Sequence, residues 1–270
     1  MAIDVSVIIP TYRRPIPLGE SIRSALDQEG GVSVEVHVID DSPEGAGAPV
    51  VEAINDQRVR YERMPSPTGG LPSRVRNSAW PKARGEFVHF LDDDDRMEPN
   101  AYRTLIDALG KHRGAGVAFG RIAPFGDNPK VLARQQDYFQ NAAERARLSW
   151  KFRSKLMMVA NMLFKPTVLV CSAALLRKEA VAAVGGFDEE LRLVEDVDFY
   201  LRAIRECGVV FVDQVVLNYR TGAPSLMHDQ RDSTGAIRAY GRIFSKYRER
   251  HGAAELMALK VLARTALRWT

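Results

Sequence analysis

The sequence predicts an α/β protein: a Rossmann-like, mostly parallel sheet flanked by helices, with further helices at the C-terminus. Three observations predict it. Short β-branched runs alternate with stretches of helical apolar spacing through the N-terminal half. The helical stretches, roughly ten residues each, suit right-handed crossovers between parallel strands. Aspartates gather at the ends of the strand-like runs, the edge where open α/β sheets bind ligands.

Val5-Ser-Val-Ile-Ile-Pro10 is a β-branched run stopped by proline, the pattern of a buried strand. Leu18, Ile22, Ala25 and Leu26 then recur at helical spacing until Gly30-Gly31 ends the helix. Val34–Ile39 reads as a second strand, closed by Asp40-Asp41-Ser42-Pro43, and a helix through Val50, Val51 and Ile54 leads to a third strand at Arg58–Arg63. After the loop Ser66–Gly70, a helix over Pro72–Lys82 hands over at Gly85 to a strand at Glu86–Leu91. Ala115–Ile122 and Val168–Cys171 read as strands on either side of a long insertion, Pro124–Lys165. A helix at Val197–Glu206, a strand at Val209–Leu217 and a helical tail from about Ser233 complete the chain. Neither an internal repeat nor a low-complexity linker interrupts it, so one compact domain with C-terminal helices is expected.

The 270 residues are 46% apolar and 27% charged, ample for a substantial core and unlike a disordered chain. Two cysteines, Cys171 and Cys207, can build neither a disulfide framework nor a four-thiolate metal site, which points to a reducing, cytoplasmic setting. The opening residues show no signal peptide, and no apolar run is long enough for a membrane-spanning helix. The net charge of +4 suggests nucleic acid at first sight. Its distribution argues otherwise. Lys130–Lys165 and Ile237–Thr270 each carry eight Lys/Arg against two Asp/Glu, +6 apiece, which leaves −8 on the rest. An acidic body with two basic segments fits an anionic small molecule or the inner face of a membrane better than nucleic acid.

The most informative segment is Phe90-Leu-Asp92-Asp93-Asp94-Asp95, four adjacent carboxylates directly after an apolar strand. Their mutual repulsion calls for a cation, and hard ions such as Mg²⁺ or Mn²⁺ take carboxylate oxygens while bridging to phosphates. Alternation along extended backbone would put Asp92 and Asp94 on one side. The plain alternative is a solvated turn capping a helix near Pro99. Asp40-Asp41 ends the second strand on the same edge and offers acceptors to base or ribose donors. Val194-Glu195-Asp196-Val197-Asp198 opens a helix, where acidic residues are also favoured by the helix dipole; the preceding Val184-Gly-Gly-Phe-Asp188 supplies an anchored turn. His37, His89, Trp80 and Trp150 read as scaffold, with Trp150 a possible acceptor platform, and His112 and His251 as helix-end surface groups.

Taken in order, Val5–Tyr12, Val38-Ile-Asp-Asp-Ser42, Arg76-Asn77, Arg84–Asp95, Gly185-Gly-Phe-Asp188 and Glu195-Asp-Val-Asp198 resemble the motifs of family 2 glycosyltransferases, inverting enzymes of the GT-A fold. The resemblance covers about Asp4 to Arg220. It departs at Asp40-Asp-Ser-Pro43, where Asp-Asp-Gly-Ser is usual, and at Arg13, where Asn is common after Pro-Thr-Tyr. The resemblance implies a nucleotide-sugar-binding half over residues 1–95, an acceptor and catalytic half over 96–232, and a tail over 233–270. It implies that Pro10, Thr11, Tyr12 and Asp41 line a base pocket for a UDP-, dTDP- or GDP-linked sugar, with Arg76 and Asp93 beside the donor. Asp92 and Asp94 match the Asp-x-Asp motif that holds Mn²⁺ or Mg²⁺, Asp94 most directly. Asp196 matches the general base, with Asp198 its rival and Glu195 orienting it or the sugar; an ordinary carboxylate pKa suffices. Arg220 is expected over the diphosphate and His228 as a further metal ligand. The acceptor would be a saccharide, a lipid-linked or another small molecule.

Two rival readings are weaker. A sugar-phosphate nucleotidyltransferase carries a Gly-rich basic loop after its first strand, where this chain has Pro10-Thr-Tyr-Arg-Arg-Pro15, and neither Gly-x-Gly-x-x-Gly nor a Walker loop occurs. A non-catalytic membrane-surface protein would use the tail Leu256–Trp269, whose leucines run beside Lys260, Arg264 and Arg268; packing of that tail on the domain is the competing expectation.

Overall fold

The computed structural model describes residues 2–222 and 234–266. Its elements run β1 (Val5–Thr11), α1 (Pro15–Leu26), β2 (Val34–Asp40), α2 (Ala48–Ile54), β3 (Val59–Arg63), α3 (Pro72–Ala79), β4 (Phe87–Phe90), β5 (Arg96–Met97), α4 (Ala101–Lys111), β6 (Val117–Phe125), α5 (Pro129–Lys151), α6 (Lys155–Phe164), β7 (Ala174–Arg177), α7 (Lys178–Val184), α8 (Glu195–Cys207), β8 (Val209–Arg220), α9 (Gly235–His251) and α10 (Ala253–Ala266). They form one eight-stranded sheet ordered β3-β2-β1-β4-β7-β6-β8-β5. The β1–β2, β1–β4, β2–β3 and β6–β8 pairs are parallel, whereas β7 lies antiparallel to both β4 and β6.

Helices cover both faces of the central strands, which explains why their apolar residues run continuously instead of alternating. Val5, Val7, Ile8 and Ile9 of β1 are all fully buried, as are Val36 and Val38 of β2. Glu35, a carboxylate within this layer, accepts from Ser6 Oγ (2.6 Å) and Arg84 Nε (2.7 Å). Burial alone would raise its pKa, yet these hydrogen bonds bring it down to about 2. His89 is scaffold, as expected: Nδ1 pairs with Tyr102 Oη (2.8 Å), Nε2 with the Ser172 carbonyl (2.9 Å), and burial lowers its pKa to about 4.

Three sequence expectations need correction. The apolar run Val168–Cys171, mostly buried, is not a strand; the strand is Ala174–Arg177, paired antiparallel with β4 and β6. A short apolar run carries no periodicity that separates a strand from other buried chain. The insertion is two helices, α5 and α6, and β6 continues through Pro124 to Phe125. Finally, α8 starts at Glu195, two residues early, so the whole acidic cluster is helical.

The Gly185-Gly186-Phe187 turn fixes where α8 begins. Phe187 stacks on Phe199 of α8 (centroids 4.1 Å) and meets Phe90 of β4 edge-on (4.8 Å). Asn77 of α3 holds the same turn, donating to the Phe187 carbonyl (2.9 Å) and accepting from its amide (2.9 Å). The end of β4 and the start of α8 are thereby locked together. No helix among the described residues is long and apolar enough to cross a membrane.

Candidate functional site

Strand order reverses at β1, whose neighbours β2 and β4 lie on opposite sides. Chain leaving the carboxyl ends of adjacent strands diverges at such a point and opens a crevice. A cavity of about 610 Å³ lies there, lined by Pro10, Thr11 and Tyr12 after β1, Asp41 after β2, Asp92, Asp93 and Asp94 after β4, and Glu195 and Asp196 of α8. A second cavity, about 520 Å³, lies across α8 beneath α9. Lys246 and Asp188 pair there, as do Arg202 and Asp198, whereas the first cavity gathers the acidic clusters at the strand ends.

After β4 the chain turns instead of staying extended, so the alternation that would align Asp92 with Asp94 does not apply. Both line the cavity, but different arginines hold them. Asp92 accepts from Arg76 Nη2 (2.6 Å), and Asp94 from Arg14 Nη1 (2.7 Å). Asp93, also on the wall, accepts from Thr11 Oγ1 (2.7 Å), and burial pushes it up to about 7 despite that bond. Asp95 points away and is buried, accepting the Arg220 amide (3.0 Å). These carboxylates are the hard oxygen donors that Mg²⁺ or Mn²⁺ takes. No group of three or more ligating side chains converges among the described residues.

Arg76 is the hinge of the electrostatics. Its guanidinium, 3% exposed, spans Asp92 and, through Nη1, Glu195 Oε1 (2.8 Å). One buried cation therefore ties the acidic turn of one wall to the acidic helix start of the other. Next to Glu195, Asp196 keeps some access to the cavity and accepts only its neighbour's amide, Val197 N (2.8 Å). Burial raises its pKa to about 7, helped by the Glu195 charge and opposed by Arg76. The sequence reading required no such shift. Val194, immediately before, adopts left-handed φ 53°, a strained conformation for a β-branched residue and one that recurs at functional sites. Asp198 faces the other side of α8, paired with Arg202 Nε (2.8 Å), which removes it as the rival to Asp196 at this cavity.

Asp41 lines the cavity with both oxygens engaged, accepting from Thr68 N (2.6 Å), Thr68 Oγ1 (2.8 Å) and Gly70 N (2.7 Å). It shapes the loop opposite Tyr12, and a carboxylate with about four lone-pair sites retains room for a ligand donor. Arg220, expected over the diphosphate, is not on the wall. It sits behind the acidic turn, donating to the Asp94 carbonyl (2.9 Å) and Glu20 Oε2 (2.6 Å) with its cation over Phe125 (4.6 Å). His228 lies outside the described residues. Trp150 is no acceptor platform, since it packs edge-on against His112 (5.1 Å).

Several wall residues went unread in the sequence: Arg14, Tyr138 of α5, Tyr219 of β8 and Tyr240 of α9. Only Arg14 had a signal, its place two residues after Pro-Thr-Tyr. Tyr138 and Tyr240 come from the insertion and the tail, which approach each other near Asp196, Tyr219 comes from β8, and nothing local marks them.

The matches to known proteins bear on family and fold. The model of "Glycosyl transferase family 2" matches residues 6–185. Uncharacterized protein MT1568 of Mycobacterium tuberculosis is 29% identical over 77% of this chain and 64% of its own. The GalNAc(5)-diNAcBac-PP-undecaprenol beta-1,3-glucosyltransferase of Campylobacter jejuni is 35% identical over 38% of this chain and 33% of its own. The chain thus spans less than two thirds of these relatives. A crystal structure of Staphylococcus aureus TarS residues 1–349 with UDP-GlcNAc superposes with TM-score 0.73 at 19% identity, covering 99% of this chain and 74% of that one, which establishes the shared GT-A fold. With the family model matching well over half of its length, the chain belongs to glycosyl transferase family 2.

Proposed function

We propose that the protein transfers a sugar from a nucleoside diphosphate to an acceptor hydroxyl with inversion at the anomeric carbon. The observation that carries this reading is the Arg76 bridge, which holds Asp92, after β4, and Glu195, beside Asp196 at the start of α8, together at one cavity. An inverting displacement needs a base for the acceptor hydroxyl and neutralisation of the leaving diphosphate within one sugar's reach, which is what this juxtaposition supports.

In this reading the nucleoside lies against Pro10, Thr11, Tyr12 and Asp41, and the diphosphate passes over the acidic turn beside Arg14. UDP is the first nucleotide to test, being the nucleotide bound by the TarS neighbour. Asp94, with Asp92, would hold Mn²⁺ or Mg²⁺, which supplies Lewis-acid neutralisation of the leaving diphosphate. Asp196 takes the proton of the acceptor hydroxyl as its oxygen bonds to the anomeric carbon and the bond from that carbon to the diphosphate oxygen breaks. No covalent enzyme intermediate forms. A carboxylate raised to about 7 is a better base than an ordinary one and is still ionised in half or more of the molecules at neutral pH. Glu195, held by Arg76, orients Asp196 and the sugar. Tyr138, Tyr219 and Tyr240 border the side where the acceptor, a saccharide or a lipid-linked one, would enter.

The test is a panel of UDP-, dTDP- and GDP-sugars incubated with Mn²⁺ or Mg²⁺, followed by mass spectrometry for donor loss and by calorimetry for nucleotide binding. Metal-dependent binding of one nucleotide class is expected. Failure of every nucleotide to bind would remove the proposal.

A further inference from the structure

The chain has eight tyrosines, all among the described residues. Five use their hydroxyl inside the protein: Tyr61 with Asp40 (2.9 Å), Tyr102 with His89 (2.8 Å), Tyr138 with the Thr167 carbonyl (3.1 Å), Tyr200 with the Cys171 carbonyl (2.8 Å) and Tyr247 with Glu255 (2.7 Å). Tyr12, Tyr219 and Tyr240 are half-buried, yet their hydroxyls have no hydrogen-bond partner among the described residues. All three line the cavity that holds Asp196, and none of the three hydroxyl oxygens is shut off from solvent. Unused tyrosine hydroxyls are thus confined to one cavity, where a ligand can take them up.

Tyr12 stands with Pro10 and Thr11, on the nucleotide side of the proposed site. Tyr219 and Tyr240 stand with Asp196 instead. Burial first, and then the Asp196 charge, push the Tyr240 hydroxyl up to about 12; the same charge, after burial and the charges of the acidic turn, acts on Tyr219. Both side chains have fixed backbones. Tyr219 immediately precedes Arg220, whose amide donates to Asp95 Oδ1 (3.0 Å). Tyr240 lies two residues before Arg242, which donates to the Glu190 carbonyl (3.2 Å), and Lys246 of the same helix pairs with Asp188 and Glu190. The loop so gripped runs directly into Glu195 and Asp196. Both tyrosines lie beyond residues 6–185, so the stretch matched by the family model does not supply them.

Resting on the transfer reading above, we infer that the Tyr219 and Tyr240 hydroxyls hold the reacting end of the acceptor, and that this end is an uncharged sugar or polyol. A phenol hydroxyl both donates and accepts, which suits the adjacent hydroxyls of such a unit. Charge argues against an anionic end. Glu195 and Asp196 line the same cavity, and Arg76 is already shared between Glu195 and Asp92. A phosphate placed beside Asp196 would be repelled, whereas a hydroxyl is not. Arg192, exposed and four residues before Asp196, lines the cavity without a carboxylate partner among the described residues, and is the group a phosphate would seek.

Saturation-transfer NMR and initial rates test this, with the nucleotide or donor that binds in the panel above present. The neutral probes are sorbitol and the methyl glycosides of glucose, galactose and N-acetylglucosamine; the anionic ones are the corresponding sugar monophosphates. Binding of a neutral probe, with faster donor consumption in its presence, is expected. Tyr219→Phe and Tyr240→Phe should each raise its Kd and KM about 2- to 12-fold, the worth of one hydrogen bond. Nucleotide Kd and Tm should not move, since neither hydroxyl bonds within the described fold, and a merely structural role would shift Tm instead. Nucleotide binding without binding of any neutral probe would overturn the inference and leave the transferase reading standing; absence of all nucleotide binding would remove both. Unchanged Kd and KM in both phenylalanine variants would also overturn it. So would a preference for the monophosphates that Arg192→Gln abolishes, which would make the acceptor anionic.

Discussion

Replacing Arg76 with alanine tests whether one cation assembles the cavity. The wild-type guanidinium contacts Asp92 at 2.6 Å and Glu195 at 2.8 Å while only 3% exposed. Its removal leaves two carboxylates facing across a partly dry gap. Breaking a buried pair from one side costs about 3–5 kcal/mol. Asp92 keeps 34% side-chain exposure and can recover some hydration, whereas Glu195 keeps only 11%, which places the expected loss near the lower bound, about 3 kcal/mol. For a chain of this size each kcal/mol lowers Tm by about 2 °C, so the midpoint should fall by about 6 °C. Arg76→Lys should lose less but not recover fully, because one ammonium cannot match the fork of a guanidinium spanning two acids. The decisive variant adds Asp92→Asn and Glu195→Gln to Arg76→Ala: with the stranded charges neutralised, most of the lost stability should return. Thermal unfolding followed by circular dichroism, with calorimetry as a two-state check, reads all of these. The reasoning is refuted if Arg76→Ala falls within about 1 kcal/mol of wild type, the worth of an exposed ion pair, or if the triple variant is no more stable than the single one.

Three further outcomes are expected. Asp196→Asn should abolish transfer with nucleotide affinity nearly intact, and because burial raises Asp196 to about 7, wild-type kcat/KM should fall about tenfold per pH unit below that value; a profile flat to pH 5 argues for another base. The folded value lies above the usual carboxylate value of about 4, so the fold holds an extra proton between the two and loses stability as pH rises through that window, a dependence that Asp196→Asn should reduce in pH-stepped unfolding. Asp94→Asn should weaken Mn²⁺-dependent nucleotide binding in calorimetry without altering the metal-independent part; equal loss of both would mean that it only shapes the pocket. Gly186→Ala should destabilise by about 1–3 kcal/mol, since φ is +78° and the added Cβ would lie 2.5 Å from Asn77 Oδ1 and 2.7 Å from Trp80 Nε1; an unchanged Tm would show that this turn does not anchor α8.

Much of the N-terminal half was legible because its local signals agree. The apolar runs of β1 and β2, the glycine stop after α1 and the aspartates closing β2 and β4 each report on themselves. The misread strand at Val168–Cys171 shows the limit: being buried does not make a segment pair, and the pairing partners of β7 are set by β4 and β6. The choice between Asp196 and Asp198 shows another. Two residues on a helix differ by about 200° around its axis, so only one can face the cavity. Which one does depends on Phe187 and Phe199 packing under α8, information spread over distant segments.

By itself the sequence determined the alternating architecture, the family and the edge of the sheet where the acids collect, because each rests on short-range spacing of residue types. Only the tertiary structure decided which acids face one another, that Arg76 bridges them, that Arg220 stands behind the turn, and that tyrosines from the insertion and the tail approach Asp196. It likewise made parts of the two basic segments into a cavity wall, through Tyr138 and Tyr240. Those outcomes depend on contacts between residues scores of positions apart, and a charge or an aromatic ring takes its chemical role from what folding places beside it.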